Sequence, residues 1–302
     1  MVNIQNKLIS IVGLTSSGKS GLSLELAQFF NGEIVSADSR QIYRGMDWCT
    51  GKVTKAEMKL VPHYLIDILD TNQLYSLSQF QADAYKAIDN ILSRGKLPFL
   101  VGGTGLYVRS VVEGYNLSSV GIDNANRKYL LSLSRDELLE KLKQLGVENI
   151  DAQKSNRHLV RLIEKATVGD VAEKPSEPKY KVLQIGIKWS REQIYQRIEQ
   201  RLDDRLPNIL IEVENLVKSG TSPEFLERMG LECKMAYWYL QGKYNSYEHF
   251  RDELLKEERH FAKRQDTWFK KDKNTIWLDG NSNYVDKAKE IITKFLENNY
   301  EN

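Results

Sequence analysis

Residues 13–20 read Gly-Leu-Thr-Ser-Ser-Gly-Lys-Ser, a G-x-x-x-x-G-K-S pattern. It constrains the fold strongly, because it works only with a strand before it and a helix after it. Leu8 to Val12 is a short apolar, β-favouring run, and Leu22, Leu26, Phe29 and Phe30 follow at helical spacing. Strand, glycine-rich turn and helix make a phosphate-binding loop, since backbone N–H groups and a helix N-terminus favour anions. Gly13, Leu14, Thr15, Ser16, Ser17 and Gly18 form the cradle. Lys19 reaches the outer phosphates, and Ser20 offers a hydroxyl to Mg²⁺. Which bond of the phosphate compound breaks stays open at this point.

A chain of 302 residues holds one large or two smaller domains. Further apolar runs at Glu33–Asp38, Pro98–Gly103, Val182–Lys188 and Thr275–Gly280 alternate with helical patterns. Alternation of this kind predicts an α/β fold, a parallel sheet covered on both faces in the manner of P-loop NTPases. Between 117 and 181 the strand signal vanishes and Arg135–Leu145 and Lys154–Thr167 read as helices. The expected organisation is therefore a core of 1–116 and 182–302, with a helical insertion at 117–181 and a mostly helical C-terminal region. Ser190 and Gln193 form a capping box that opens a long helix. No apolar run is long enough to span a bilayer. No secretory signal precedes the first strand, and Cys49 and Cys233 lack metal-like spacing, so free thiols in a reducing cytoplasm are expected. Net charge is only +2, so nucleic-acid binding would rest on local basic patches.

Ligands of such sheets sit at the carboxyl ends of the strands. Asp38 ends one run, followed by Ser39, Arg40, Gln41, Tyr43 and Arg44. A carboxylate there binds Mg²⁺, acts as a general base, or caps the turn. Its neighbours suit a base edge and phosphates. Gly102-Gly103-Thr104-Gly105 ends another run and offers Thr104 at the mouth of the site. Arg197, Arg201 and Arg205 recur every four residues on the helix after Ser190. Either they form a solvated face, or one of them clamps the outer phosphate. Lys154, Arg157, His158, Arg161 and Lys165 form a basic stripe in the insertion. Arg259 to Lys273 interleaves basic residues with Phe261, Trp268 and Phe269, a combination suited to structured RNA. His63-Tyr64-Leu65-Ile66-Asp67 has too few ligands for a metal and is read as structural.

Taken in order, the loop at Gly13–Ser20, the Asp38–Asp47 block, His63–Asp67, Gly102–Tyr107 and Ala262–Phe269 resemble the bacterial tRNA dimethylallyltransferases, also called isopentenyl-tRNA transferases. The resemblance spans nearly the whole chain. It implies transfer of a dimethylallyl group from its diphosphate to N6 of the adenosine just 3′ of the anticodon, with Mg²⁺ as the ion and pyrophosphate as the leaving group. Carried over by residue, it implies that Asp38 is the base and that Thr104 contacts the acceptor. Lys19, Ser20 and Arg201 hold the diphosphate. Asp38, Ser39, Arg40, Gln41, Thr104, Arg127, Arg157, His158, Arg161, Lys263, Arg264 and Gln265 meet the tRNA anticodon stem-loop. Neither a membrane nor a protein partner is implied. The chain departs from the family pattern at Gly51 and Val53, at His158, and at Leu231 and Glu232. These departures are expected to lie away from Asp38, Thr104 and the phosphate loop. A nucleoside or metabolite kinase, and a non-catalytic RNA-binding protein, are the competing readings.

Overall fold

A computed structural model of the chain describes residues 4–117, 124–147, 150, 155–168 and 177–297. Its strands are β1 (Lys7–Val12), β2 (Gly32–Ser36), β3 (His63–Tyr64), β4 (Leu97–Gly102), β5 (Lys181–Lys188) and β6 (Thr275–Asp279). All pair in parallel in one sheet, in the order β3-β2-β4-β1-β5-β6. The α/β, P-loop-like class read from the sequence is the class observed. β3 was not foreseen, because two residues are too short for a periodicity signal.

β1 is buried along its whole length, as a central parallel strand must be. Its side chains alternate between two cores. Leu8 and Val12 join Val35 and Leu100 on one face, under Phe80 and Ile88 of α3 (Leu77–Ser93) and Val108 of α4 (Gly105–Val112). Ile9 and Ile11 join Ile34 and Phe99 on the other, under Leu22 and Leu26 of α1 (Lys19–Phe29) and Ile292 of α12 (Tyr284–Leu296). Lys7 is buried at the start of β1 and donates to the carbonyls of Phe295 (3.0 Å) and Leu296 (2.7 Å). Those carbonyls lie in the last turn of α12, at its negative end.

Glu33 of β2 is almost fully buried yet ionised. Its carboxylate accepts from Arg94 Nη1 (2.7 Å), Lys96 Nζ (2.8 Å) and the Tyr64 hydroxyl (2.8 Å). The Arg94 hydrogen bond dominates, and the group is held at about 2. A lowered carboxyl stabilises the fold above its unfolded value, and the stabilisation is lost as pH falls toward 2. Glu33→Gln is expected to cost about 1–3 kcal/mol at neutral pH, because Arg94 and Lys96 lose a charged acceptor but can turn to water. Urea unfolding at pH 7 and pH 3 measures this, and the difference between variant and parent should shrink at the lower pH.

A further core is built by α8 (Arg191–Lys218), α9 (Pro223–Arg228), α10 (Leu231–Leu240) and α11 (Tyr247–Phe269), through Leu202, Leu206, Ile209, Phe225, Phe250 and Leu254. The Ser190 box forms as expected: Gln193 N–H donates to Ser190 Oγ (3.2 Å), and Gln193 Oε1 accepts from Ser190 N–H (3.2 Å). The same core corrects the cysteine reading. Cys49 and Cys233 are joined as a disulfide, with Cα atoms 5.4 Å apart. Their separation of 184 residues gave no sign of this, since only the helical core brings them together.

The chain divides into two compact units, 1–114 with 178–302, and 115–177. The second contains α5 (Asn124–Ser132), α6 (Arg135–Gln144) and α7 (Asn156–Thr167). Leu130, Leu138, Leu142, Leu159, Val160 and Ile163 make its own small core. Lys154 and most of the 173–179 connector lie outside the described residues.

Candidate active site

The sheet order sets the site. β4 lies between β1 and β2, so the segment after β4 sits between the two segments that follow β1 and β2. These carry Thr104, the phosphate loop and Asp38 respectively. All three line one cavity of 1320 Å³.

The loop has the geometry of an anion cradle. Gly18 caps α1 at φ 96°, a left-handed conformation that suits glycine, and Ser16 also has positive φ at 58°. The buried Ser16 and Ser17 Oγ atoms have no hydrogen-bond partner. Ser20 is exposed in the first turn of α1. Lys19 Nζ donates to the Leu14 carbonyl (2.6 Å). Burial pushes Lys19 down to about 8; Arg201 adds to the shift and Asp38 opposes it. A cation so destabilised beside another cation is poised for a bound anion.

Asp38 Oδ1 accepts the Arg40 N–H (2.8 Å), so the carboxylate shapes its own turn while lining the cavity. Thr104 N–H donates to the Ala37 carbonyl (3.3 Å), and Thr104 Oγ1 accepts from Ser39 N–H (3.2 Å). The two strand ends are thereby stitched together on either side of Asp38. Gln41 Nε2 donates to the Gly51 carbonyl (3.2 Å). Arg40 is held down mainly by burial, with Asp38 opposing.

The three arginines of α8 part company. Arg201 Nη1 donates to Thr15 Oγ1 inside the loop (2.8 Å). Arg197 Nε donates to the Ser16 carbonyl (2.8 Å) and its guanidinium covers Trp189 at 4.5 Å. Arg205 is buried, pairs with Glu232 (3.0 Å) and donates to the Trp48 carbonyl. Arg201→Ala is therefore expected to lower kcat/KM for the donor by about 10–10²-fold, the worth of one charge-assisted hydrogen bond. Steady-state kinetics over donor concentration reads this, and Arg205→Ala should instead lower the melting temperature.

One expectation is overturned. Gly51, Val53, Leu231 and Glu232 are not remote from the chemistry; they line the same cavity as Lys19, Asp38 and Thr104. The long helices decide this. Gly51 packs against the Arg201 guanidinium, where a Cβ would collide. Lys52 of the same loop is buried between the Tyr43 carbonyl (2.8 Å), Asp47 (2.7 Å) and Asp67. Asp67 thus serves as an ion-pair partner of Lys52, while His63 of the same segment lines the cavity. Glu212 of α8 clamps the loop by accepting from Asp47, Trp48 and Cys49 N–H groups at 2.7, 2.8 and 2.9 Å. Glu212 carried no local sequence signal.

Two further residues of α11 reach the cavity. Gln265 lines it, is buried, and spends both ends of its amide inside the protein. Glu258 was not singled out, yet it lines the cavity buried, with Oε1 unpartnered. Burial raises it above the usual carboxylate range; Glu232 adds to this, while Arg201 and Arg205 oppose. Lys263 is exposed, whereas Arg264 lines the cavity.

In the second unit, Arg157 and His158 are exposed at the start of α7. Arg127 and Arg161 converge on the buried Glu164, which accepts from Arg127 Nε at 2.6 Å and Arg161 Nη1 at 2.9 Å. The two guanidiniums keep their side chains 29% exposed, so the cluster retains net positive charge at the surface. Among the described residues no group of three His, Cys, Asp or Glu side chains could hold a metal. No described helix is long and apolar enough to cross a membrane.

Comparison with known proteins gives a consistent result. The family model described as IPP transferase matches residues 41–272. A tRNA dimethylallyltransferase of Streptococcus agalactiae is 38% identical over 294 residues, covering 96% of this chain and 98% of that protein. One of Carboxydothermus hydrogenoformans is 39% identical over 314 aligned positions, covering 98% and 100%. The full-length tRNA isopentenylpyrophosphate transferase of Bacillus halodurans superposes with a TM-score of 0.74 at 34% identity, over 97% of each chain. A eukaryotic dimethylallyltransferase acting on tRNA shares the fold, with a TM-score of 0.80 at 24% identity, over 97% of this chain and 80% of that one. With the phosphate loop, Asp38 and Thr104 around one cavity and matches of this length, the chain belongs to the IPP transferase family, the tRNA dimethylallyltransferases.

Proposed function

We propose that the chain transfers a dimethylallyl group from dimethylallyl diphosphate to N6 of the adenosine 3′-adjacent to the anticodon of tRNA, releasing pyrophosphate. The observation that carries this reading is the meeting of the phosphate loop, Asp38 and Thr104 at neighbouring strand ends around one cavity, in a chain of this family. The bond between C1 of the dimethylallyl group and the diphosphate oxygen breaks, and a bond from N6 to that carbon forms. Negative charge grows on the diphosphate as its bond to carbon stretches. Lys19, Arg201 and the loop N–H groups stabilise it where it develops. Asp38 takes the proton that N6 loses, and Thr104 orients the adenine edge beside it.

Mg²⁺ fits the donor set. Ser20 is exposed at the head of α1, and the cradle holds unpartnered hydroxyls of Ser16 and Ser17. Magnesium uses few protein ligands and keeps substrate phosphates and waters, so no carboxylate cage is needed. When bound, it would neutralise diphosphate charge.

The acceptor base must leave its stacked loop to reach Asp38. Within the core unit Ser39, Arg40, Gln41, Lys263 and Arg264 are proposed contacts to tRNA, and within the helical unit Arg127, Arg157, His158 and Arg161 are. The acceptor makes the cytoplasm the expected location. A kinase and a non-catalytic RNA-binding protein are set aside, because the relatives are named transferases. The test is direct: purified chain, dimethylallyl diphosphate, Mg²⁺ and unmodified tRNA should yield pyrophosphate and a five-carbon adduct on one adenosine. Absence of adduct on every tRNA offered, or phosphoryl transfer from ATP instead, would overturn the reading.

A further inference from the structure

We infer that Gln265 is a positioning residue that fixes the distance between the donor's phosphate loop and the acceptor turn. The inference rests on the transfer reaction proposed above and goes beyond it, since Gln265 belongs to neither loop.

Gln265 sits on the inward stripe of α11 with Glu258, Ala262 and Phe269, all buried. Its Oε1 accepts the Thr15 N–H at 2.8 Å, and its Nε2 donates to the Gly103 carbonyl at 3.0 Å. The orientation of this amide is not ambiguous. One partner can only donate and the other can only accept, so the chemistry fixes which end is oxygen. A glutamate could accept from Thr15 but would repel the Gly103 carbonyl, and an asparagine is one methylene short. The approach is close: a Cβ on Gly103 would lie 2.7 Å from Nε2.

Each partner leads to a different half of the reaction. Thr15 lies in the phosphate loop and is held at its hydroxyl by Arg201 (2.8 Å), so α8 and α11 grip it from two ends. Gly103 precedes Thr104, whose N–H donates to the Ala37 carbonyl (3.3 Å) and whose Oγ1 accepts from Ser39 N–H (3.2 Å). Asp38 lies between Ala37 and Ser39. A run of hydrogen bonds, bridged by the covalent steps from Gly103 to Thr104 and from Ala37 or Ser39 to Asp38, thus joins the donor loop to the base through one amide. Reactions between two bound groups are sensitive to placement, and an error of about 1 Å can cost 10²-fold in rate.

The test uses the full chain with Mg²⁺, dimethylallyl diphosphate and a tRNA transcript, in single turnover. Gln265→Ala and Gln265→Glu should each lower the rate constant by about 10²-fold. Pyrophosphate and tRNA dissociation constants should stay within about threefold. A purely structural residue would lower the melting temperature and the reacting fraction, leaving the rate constant of the folded molecules unchanged; that result overturns the inference. Loss of tRNA affinity with a normal rate at saturating tRNA overturns it too, and restores Gln265 as an RNA contact. Combining Gln265→Ala with Thr104→Ala should cost no more than the worse single variant, because both break the same run. Full multiplication of the two losses argues against coupling through that turn. A wild-type chain inactive on tRNA rejects the proposed function and this inference with it, whereas an active wild type with an unaffected Gln265→Ala rejects the inference alone.

Discussion

Asp38→Asn is expected to slow dimethylallyl transfer by about 10²–10⁴-fold, the usual worth of a positioned general base. An amide keeps the size of the carboxylate and can still accept the Arg40 N–H through its oxygen, so the turn after β2 should persist. Binding of tRNA and of pyrophosphate should then change little, and the loss should fall on the rate constant at saturation. A second signature accompanies it. The Asp38 charge opposes the lowering of Lys19. Removing that charge should move the ionisation of Lys19 still further down, and the alkaline limb of donor binding with it. Single-turnover rates and pyrophosphate titrations across pH read both effects. A variant that turns over normally would remove Asp38 from the role of base.

Lys19→Ala is expected to cost about 10²–10³-fold in kcat, comparable to deleting one preorganised donor at a developing anion. Lys19 differs from a surface lysine because burial and Arg201 hold it at about 8 in the free protein. It is charged below that value and neutral above it. Donor affinity should therefore be level below pH 8 and weaken as pH rises through it. Bound diphosphate reverses the cause of the shift, by giving the ammonium an anion, so the limb should move upward in the complex. Lys19→Ala should abolish the limb along with the rate. Calorimetric titration of pyrophosphate between pH 6.5 and 9.5 tests this, and a limb that survives in Lys19→Ala would assign it to another group. Glu258, raised by burial in the same cavity wall, is the other titrating group there.

The part of the cavity wall formed at the strand ends was largely legible before the fold was known. The phosphate loop, Asp38 and Thr104 each announce themselves locally, since glycines at fixed offsets and polar groups ending apolar runs are short-range signals. Residues that act across the fold were not legible in this way. Gln265 read as part of a basic, aromatic helix, and only its burial against Thr15 and Gly103 shows where its amide is used. Glu212 and Glu258 looked like ordinary helix carboxylates. The departures at Gly51, Val53 and Leu231 were expected away from Asp38, Thr104 and the phosphate loop, yet they line the same cavity. Helices of 28 and 23 residues, α8 and α11, carry Arg201, Arg205, Glu258 and Gln265 back to the strand ends and pack the 47–53 loop against them. The two cysteines met for the same reason.

The sequence by itself determined that this chain builds a parallel α/β sheet with a phosphate cradle at the end of its first strand. Strand, turn and helix there are encoded within some twenty contiguous residues, and local backbone preferences suffice to form them. Tertiary structure alone decided what faces the cradle. Insertion of β4 between β1 and β2 puts the segment carrying Thr104 between those carrying the phosphate loop and Asp38, and the packing of α8 and α11 supplies the arginine and the amide that bond to Thr15 and Gly103. Such choices depend on which apolar faces find one another across the whole chain, and no short stretch of residues contains that information.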